Sequence, residues 1–344
     1  MRVVIAPDSF KGSISAPDCA AAIADGWRSV RPGDSLVLLP QADGGEGTLD
    51  AIEASTPDAV RRSAGMVTGP DGRPVPGVWL ELPDGTAVVE LAQMAGLALM
   101  AAPDPLGATT RGLGEVIVAA LDVGATTLVI ALGGSASTDG GAGALAVLGD
   151  RGAPVGGVTL LTDVTAPLLG PMGAAAVFGP QKGATPTDIA VLEERLRAFA
   201  AGFRTDPATP GVGAAGGTAF GFLAAWGARI EPGAAAIAAL TDLTETIRDA
   251  DILITGEGSF DDTSYTGKVV GHALRLAHEN GTRMIVIAGR VATEPRLPDG
   301  RPVASISLAS LAGSTEAALG DPTRWLTAAG VEAAQLEAWD SRNS

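Results

Sequence analysis

The sequence predicts an α/β protein of two domains, one built from both ends of the chain and the other inserted within it. At both ends, short runs of branched apolar residues alternate with helical patterns, which is typical of parallel βαβ units. Between them, strand-like segments are separated by two Pro-Asp-Gly turns, which favours antiparallel hairpins. A chain of 344 residues is long enough for two cores. We place the domains at residues 1–64 with 245–344 and at residues 65–244.

The first two strands each lead into a loop that carries an acid, small residues and glycine. Arg2–Ala6 is predicted as a strand, and Ser15 begins a helix that runs to about Ser29. Ser35–Leu39 is the second strand, and a helix follows the loop 41–48. Because ligands collect at the carboxyl ends of strands in open α/β sheets, we expect these two loops to share one crevice.

The rest of the chain continues the same alternation. The antiparallel strands are predicted at Val67–Gly69, Val75–Leu82 and Thr86–Leu91. The later strands are predicted at Leu128–Leu132, Val158–Thr162, Asp251–Thr255, Arg283–Ala288 and Val303–Leu308. Helices are predicted at Gly112–Leu121, Ala142–Gly149, Pro186–Phe203, Thr218–Trp226 and Pro322–Trp339. A further helix is predicted to begin at Lys268. A loop is expected over residues 256–262.

One stretch, LVIALGGSASTDGGAG over residues 128–143, combines a buried strand, a glycine-rich loop and a helix start. Its glycines let backbone amides turn inward, its Ser and Thr residues supply hydroxyls, and Asp139 supplies a carboxylate. The positive end of the following helix favours a phosphate or carboxylate there. The alternative is a glycine-rich turn that binds no ligand.

Composition narrows the possible partners and the compartment. A formal net charge of −16 argues against nucleic acid and against an anionic membrane surface. The single cysteine, Cys19, cannot form an internal disulfide, which favours a reducing compartment. The apolar start before Pro7 is too short for a signal peptide, and the apolar window 116–132 is interrupted by Asp122 and Gly124. We therefore expect a cytoplasmic protein.

The lysines are unusually few. Only three of the 23 basic residues are lysines, and Lys11, Lys182 and Lys268 all lie in loops that contain glycine. A compact ammonium with three donors suits a crowded phosphate site, and arginine is not its equivalent.

Several common catalytic arrangements are absent from the sequence. Gly267-Lys268 is followed by Val269, so the chain has no P-loop of the usual kind, and the GxGxxG match at 211–216 does not follow a strand. His272 and His278 are too few for a histidine metal pair or a Ser-His-Asp system. The loops of Gly, Ser, Thr, Asp and Lys that remain supply what phosphoryl transfer needs, although Asp after a strand is also a common helix cap.

Six ordered motifs resemble the bacterial glycerate kinases of the two-domain, non-P-loop type: APDSFKGS, ADGGEGT, GATTRGLGE, IALGGSASTDGGAG, VFGPQKGAT and ITGEGSFDDTSYTGK. The resemblance implies phosphorylation of D-glycerate by ATP and Mg²⁺ to 2-phosphoglycerate or 3-phosphoglycerate, in glycerate and glyoxylate catabolism. It implies a Rossmann-like or restriction-endonuclease-like parallel-sheet domain built from both termini, with a flavodoxin-like α/β domain inserted. The expected partners are small molecules, with no nucleic acid and no membrane, for a monomer or homodimer.

The motifs also imply site residues. The expected catalytic residues are Asp139, Asp261, Lys11, Lys182 and Lys268. The expected substrate- and ATP-binding residues are Asp8, Ser9, Asp43, Gly44, Gly45, Glu46, Thr110, Arg111, Gly133, Gly134, Ser135, Gly140 and Glu257. The expected metal ligands are Asp43 and Asp163.

We expect Arg111 or Lys11 to hold the carboxylate of glycerate, and Asp139 or Asp261 to orient its hydroxyl. The loop 133–143 would cradle the triphosphate, while Lys182 and Lys268 neutralise the transferred phosphoryl group. Two departures from the family pattern concern substrate detail: Thr263 stands where Gln is expected, and Thr165-Ala166 replaces an acid or amide followed by Asn. A kinase for another hydroxy acid or polyol, and a non-catalytic sensor, are the alternatives.

Overall fold

The computed structural model describes residues 1–340, and the side chains of residues 1–336. Residues 1–340 form eleven strands and fourteen α-helices. The strands are β1 (Arg2–Ile5), β2 (Ser35–Leu38), β3 (Val60–Thr68), β4 (Pro74–Glu81), β5 (Thr86–Glu90), β6 (Thr127–Ala131), β7 (Val158–Leu161), β8 (Arg229–Glu231), β9 (Ile252–Phe260), β10 (Arg283–Val291) and β11 (Ala304–Ser307).

The helices include the one predicted at the C-terminal end of the chain. They are α1 (Ala16–Val30), α2 (Thr48–Ser55), α3 (Ala92–Ala95), α4 (Arg111–Asp122), α5 (Ala142–Leu148), α6 (Ala174–Phe178), α7 (Pro186–Ala200), α8 (Thr218–Trp226), α9 (Gly233–Leu240), α10 (Leu243–Thr246), α11 (Val269–Asn280), α12 (Leu308–Ala312), α13 (Thr315–Gly320) and α14 (Pro322–Asp340). No helix of the described chain is long and apolar enough to cross a membrane.

The chain divides into two compact units. The terminal unit comprises residues 1–43, residues 50–57 and the chain from residue 234 onward, and the inserted unit comprises residues 44–49 and 58–233. The domain boundaries predicted at 64/65 and 244/245 stay a prediction, because compactness does not test where an independently folding domain ends. The last four residues of the predicted range 245–344 lie outside the described residues.

The terminal unit contains a five-stranded, fully parallel sheet in the order β11-β10-β9-β1-β2. Both ends of the chain contribute to it, as predicted. Its apolar strands lie between two cores: Ile5 and Ile254 pack in one, with α1 and α14, and Val4 and Leu253 pack in the other, with α11. Ser15 begins α1 as predicted, because its side chain accepts a hydrogen bond from the amide of Asp18.

The order of these five strands, counted along the chain within the unit, is 2-1-3-4-5, which is typical of flavodoxin-like sheets. The resemblance placed the flavodoxin-like topology in the inserted domain, but the structure has this order in the unit built from both termini. The order reverses between β1 and β9, and ligands of such sheets bind outside the carboxyl ends of the strands at this point.

Strand β9 is longer than predicted. Residues 256–260, expected as a loop, continue the strand and pair with residues 287–291 of β10. A Cβ atom on Gly256 would lie 2.1 Å from the carbonyl oxygen of Ile287, so glycine permits this close approach. Glu257 therefore stands near the carboxyl end of the central strand of the sheet rather than in a loop.

The inserted unit contains a six-stranded mixed sheet in the order β3-β4-β5-β6-β7-β8. The pairs β3–β4 and β4–β5 are antiparallel, which confirms the predicted hairpins, and β5 to β8 are parallel. Strand β3 begins at Val60, earlier than predicted, because its pairing with β4 continues past an irregularity between Ser63 and Gly65. The prediction of an α/β protein with two sheets is confirmed.

Candidate active site

The terminal unit has a charged cavity of about 230 Å³ at the carboxyl ends of its central strands. The residues that line it are Asp8, Ser9, Lys11, Asp43, Glu257, Gly258, Ser259, Asp261 and Lys268. They come from the loops after β1 and β2 and from the end of β9 and the segment that follows it. The loops of Asp8 and Asp43 thus share one crevice, as predicted. This terminal cavity lies at the point where the strand order reverses.

Asp8 is a buried acid of the terminal cavity. The residue is only 7% exposed, and its Oδ1 atom accepts a hydrogen bond from the amide of Ser9 at 2.6 Å. Burial, together with the charge of Asp43, raises the pKa of Asp8 to about 7, although the Ser9 amide and the charge of Lys11 oppose the rise. The Nζ atom of Lys11 lies 3.6 Å from Oδ2 of Asp43. Asp8 therefore changes its charge near neutral pH.

Glu257 and Lys268 form a second acid–lysine pair in the terminal cavity. Oε2 of Glu257 lies 3.6 Å from Nζ of Lys268. Burial raises the pKa of Glu257, which is only 7% exposed. Its Oε1 atom is buried and has no hydrogen-bond partner in the described part of the chain. An unpartnered carboxylate oxygen at this position indicates a site that a cation or a donor from a ligand would complete.

Asp261 is held by Thr263, one of the departures from the family pattern. Its Oδ1 accepts hydrogen bonds from the amide of Thr263 at 2.8 Å and from the Thr263 hydroxyl at 2.6 Å. These bonds lower the pKa of Asp261, so the carboxylate is ionised at neutral pH. The Nζ atom of Lys268 also donates to the Thr263 hydroxyl, at 3.3 Å. Thr263 thus links this acid to this lysine.

The inserted unit has a larger cavity, of about 540 Å³. The residues that line it are Glu46, Leu97, Ala98, Leu132, Gly133, Gly134, Ser135, Thr162, Val164, Phe178, Gln181, Lys182, Ala215 and Gly216. Four of the predicted binding residues, Glu46, Gly133, Gly134 and Ser135, meet Lys182 here. Mostly apolar walls with a few polar groups are typical of small-molecule sites.

Lys182 brings a buried charge to this inserted cavity. The residue is 2% exposed, and its Nζ atom donates to the hydroxyl of Ser135 at 2.9 Å and to the carbonyl oxygen of Ser137 at 2.5 Å. Burial lowers the pKa of Lys182 to about 8, against the opposing charge of Asp139. An ammonium has three donors, so one remains for a ligand anion.

Asp139 caps the start of α5, which is the alternative that the sequence left open for an aspartate after a strand. Its carboxylate accepts hydrogen bonds from the amide of Thr110 at 2.9 Å, the Thr110 hydroxyl at 2.8 Å, and the amides of Gly141 at 3.0 Å and Gly143 at 3.2 Å. This carboxylate occupies the start of α5, where the sequence predicted a phosphate or carboxylate ligand, and the catalytic role predicted for Asp139 stays a prediction. These hydrogen bonds join the start of α5 to Thr110.

Two further amides of the glycine-rich loop are also engaged by the protein. The amide of Gly133 donates to the carbonyl of Gly44, and that of Gly140 donates to the carbonyl of Gly216. A Cβ atom on Gly140 would lie 2.8 Å from the ring of Phe199, so this glycine serves packing. The expected row of inward amides around a triphosphate is therefore not formed at these positions.

Glu90, which the sequence did not single out as a site residue, holds the loop 44–49 in place. Glu90 is 1% exposed, and its carboxylate accepts hydrogen bonds from the amides of Gly47 at 3.2 Å and Leu49 at 3.0 Å and from the side chain of Gln93 at 3.0 Å. Gly45 of this loop is so close to Gly133 that a Cβ atom on Gly133 would lie 2.4 Å from Gly45 Cα. An acid at the end of the apolar strand TAVVE was the available signal.

Seven of the predicted site residues line neither cavity: Gly44, Gly45, Thr110, Arg111, Asp139, Gly140 and Asp163. Arg111 pairs with Glu115 at 3.0 Å on the exposed surface of α4, and Thr110 is buried against Asp139. Asp163 is exposed, and its Oδ1 accepts a hydrogen bond from the amide of Gly233 at 3.1 Å. Among the described residues, no group of three His, Cys, Asp or Glu side chains could hold a metal ion by itself.

The sequence matches the model of the glycerate kinase family over residues 3–157 and 154–337. The chain belongs to the glycerate kinase family. A glycerate kinase of Bacillus subtilis strain 168 is 39% identical over 331 residues, covering 86% of each chain. A glycerate 2-kinase of Escherichia coli K12 is 38% identical over 326 residues, covering 84% of this chain and 85% of the other.

A solved structure supports the same conclusion for the fold. The crystal structure of a protein from Salmonella typhimurium LT2 that carries the name glycerate kinase 2 matches with a TM-score of 0.81 and 32% identity, over 99% of each chain. The glycerate kinase family member described here is thus a phosphotransferase with an alcohol group as acceptor, and its family implies ATP as the phosphate donor.

Proposed function

We propose that this protein transfers the terminal phosphoryl group of ATP to a hydroxyl of D-glycerate, with Mg²⁺, and so feeds glycerate and glyoxylate catabolism. The product is 2-phosphoglycerate or 3-phosphoglycerate. The observation that carries the proposal is the terminal cavity, where acids and lysines converge at the reversal point of the sheet. Phosphoryl transfer depends on positioning and on charge stabilisation, and this set supplies both.

The acids of the terminal cavity fit a divalent cation. The charge of Asp43 raises the cost of ionising Asp8, which a bound cation would relieve, and Glu257 offers an unpartnered oxygen. Mg²⁺ usually takes only one or two protein carboxylates and completes its shell with water and phosphate oxygens. Asp8 and Asp43 would hold it, where it would neutralise charge on the triphosphate. Asp163, already bound to the Gly233 amide, is the weaker candidate.

The two cavities differ in charge, which supports a division of roles. The terminal cavity has four acids and two lysines, as Mg²⁺ and a polyphosphate require, whereas Glu46, an exposed residue, is the one acid among the residues that line the inserted cavity. The single ammonium of Lys182, held by its hydrogen bonds to Ser135 and Ser137, suits a small anion with one negative charge. We therefore assign the carboxylate of glycerate to Lys182 and Ser135, rather than to Arg111, which pairs with Glu115.

Asp261, one of the two aspartates predicted to orient the acceptor hydroxyl, lines the terminal cavity, whereas Asp139 lines neither cavity. The hydrogen bonds of Asp139 hold the glycine-rich loop together. Asp261 lines the terminal cavity and is ionised, and both of its bonds from Thr263 end on Oδ1. Its Oδ2 atom accepts no hydrogen bond within the described chain, so it is available to accept one from a ligand of the terminal cavity. Lys11 and Lys268 would neutralise the phosphoryl oxygens.

The deciding experiment is ADP release by the purified protein with Mg-ATP and D-glycerate, beside L-glycerate, glycerol and tartronate. Turnover confined to D-glycerate supports the proposal, and phosphorus NMR of the product separates the 2-phosphate from the 3-phosphate. Turnover with another acceptor alone would indicate a kinase for a related hydroxy acid or polyol. ATP binding without any turnover would indicate a sensor.

A further inference from the structure

A second cavity of the terminal unit borders the charged one. It measures about 350 Å³ and is lined by Phe10, Ser13, Gly258, Ser259, Gly289, Arg290, Leu308, Thr315, Ala318, Leu319 and Pro322. Gly258 and Ser259 line both cavities. One molecule could therefore extend from the apolar cavity into the charged one. The proposed function does not use this cavity.

The walls of the apolar cavity fit a largely apolar group. Phe10, Leu308 and Ala318 are buried in the walls, whereas Leu319 is 61% exposed, so the cavity opens to solvent beside it. The polar groups in the walls come mainly from three hydroxyl side chains and Arg290. Its volume lies near the lower end of the ~300–1,000 Å³ range of small-molecule sites, and apolar walls with few polar groups are their usual lining.

Two glycines keep the border between the two cavities free of side chains. A Cβ atom on Gly289 would lie 2.4 Å from the carbonyl oxygen of Gly258, so β9 and β10 approach closely only because residue 289 is glycine. A Cβ atom on Gly258 would have its nearest neighbour, Phe10 Cα, at 3.8 Å, which is ordinary contact. The absence of a side chain at Gly258 is thus not required by packing, and it leaves room for a ligand to cross.

Arg290 adds a cation at the same border. It is exposed, stands opposite Ser259 in the pairing of β9 and β10, and its charge contributes to the lowered pKa of Asp261. Within the described residues, no hydrogen bond or ion pair engages its guanidinium. Such a group can stack on a heterocycle or bind a phosphate.

We infer that the apolar cavity binds the adenosine part of ATP, with the phosphates passing Gly258 and Ser259 to reach the acids and lysines of the terminal cavity. The inference rests on the proposed function, in which ATP is the donor. The adenosine and the phosphates of ATP are covalently joined, so their two sites must be adjacent. The apolar cavity borders the acids that suit a Mg²⁺-polyphosphate, and both cavities lie in the terminal unit. The inserted cavity, with its one exposed acid, lacks such a neighbour among its lining residues.

The test is equilibrium binding of Mg-ADP, adenosine and tripolyphosphate to the full chain by calorimetry, which needs no turnover. We expect Leu319→Asp to weaken binding of ADP and adenosine by about tenfold or more, about 1.4 kcal/mol, and to leave tripolyphosphate unchanged. Leu336→Asp, an equally apolar exposed position on α14, is the matched control and should change none of the three. Both positions are exposed, so both variants should fold.

A second variant tests the border itself. Gly258→Val should fold, because a Cβ is tolerated there and valine suits a strand, and it should weaken ADP binding by about tenfold or more. Unchanged ADP affinity in both Leu319→Asp and Gly258→Val would overturn the inference, as would failure of the wild type to bind ADP. If Leu319→Asp weakens ADP binding but the wild type does not turn over glycerate, the proposed acceptor would be wrong. The adenosine site would still be supported.

Discussion

The Nζ atom of Lys182 lies 2.9 Å from the Oγ atom of Ser135, so a lysine that is almost fully buried keeps its charge at the wall of the inserted cavity. We expect Lys182→Met to lower kcat/KM about 10²-fold or more, because a charge-assisted bond to the substrate carboxylate is lost. Steady-state kinetics should place most of the change in KM for glycerate rather than in KM for ATP. Ser135→Ala, which keeps the charge, should cost about tenfold or less.

Two kinetic results would contradict this assignment. An increase of KM for ATP alone would move the polyphosphate to Lys182, as the sequence analysis first expected. Near-normal turnover in both Lys182→Met and Lys268→Met would remove the lysines from the reaction altogether. Thermal unfolding of each variant, measured alongside, separates loss of the fold from loss of the charge.

The two buried groups with shifted pKa values predict a narrow pH profile. Asp8 must be ionised to hold Mg²⁺, and its pKa of about 7 sets an acidic limb below which kcat/KM falls. Lys182 must be protonated to bind a carboxylate, and its pKa of about 8 sets the alkaline limb. Protons and Mg²⁺ compete for Asp8, so a higher Mg²⁺ concentration should move the acidic limb to lower pH. An acidic limb independent of Mg²⁺ would argue against Asp8 as a ligand.

Asp8 should also reduce stability at neutral and alkaline pH. Its pKa in the folded protein, about 7, lies above its ordinary 3.8, so ionisation is costlier folded than unfolded. The cost is absent below about pH 4, grows between pH 4 and 7, and is complete above pH 7. Asp8→Asn should therefore raise the unfolding free energy at pH 8, by at most about 4 kcal/mol, and change it little at pH 4.

Urea unfolding without Mg²⁺ at pH 4, 6 and 8 would measure this effect. Asp25→Asn, an exposed position on α1, is the control that should show no such dependence on pH. The same Asp8→Asn variant should lose activity, because it cannot hold the cation. A destabilised Asp8→Asn protein at pH 8 would mean that the carboxylate makes favourable bonds that outweigh its burial.

The meeting of Asp8 and Asp43 could be predicted from the sequence because it follows from a local rule: both stand after strands of a parallel sheet, and such strand ends share one edge. The role of Asp139 could not be predicted from the sequence, since an acid beside glycines fits both a ligand site and a helix cap. Only the position of Thr110, distant in sequence, decides between them. The function of Glu90 depends in the same way on a loop more than forty residues away.

Asp139→Asn tests the role of Asp139 as the cap of α5. The carboxylate accepts four hydrogen bonds, and an amide replaces one acceptor oxygen by a donor that faces other donors. We expect a loss of about 1–3 kcal/mol in the free energy of unfolding, with reduced activity as a consequence. Thr110→Val, which removes the hydroxyl partner but keeps the acid, should produce part of the same loss. A variant with wild-type stability and no turnover would instead make Asp139 a catalytic residue.

Gly133→Ala tests the close approach that shapes the inserted cavity. The added Cβ would lie 2.4 Å from Gly45 Cα and 3.1 Å from the Gly44 carbonyl oxygen, and backbone atoms cannot yield as a flexible side chain can. We expect a loss of about 1–3 kcal/mol in unfolding free energy and a higher KM for glycerate, since Gly133 and Glu46 both line the cavity. Gly152→Ala, in the same unit with nothing within 4 Å of its Cβ, is the matched control and should be neutral. Equal effects of the two substitutions would show that the loop 44–49 moves aside at little cost, and that the contact between Gly133 and Gly45 does not define the cavity.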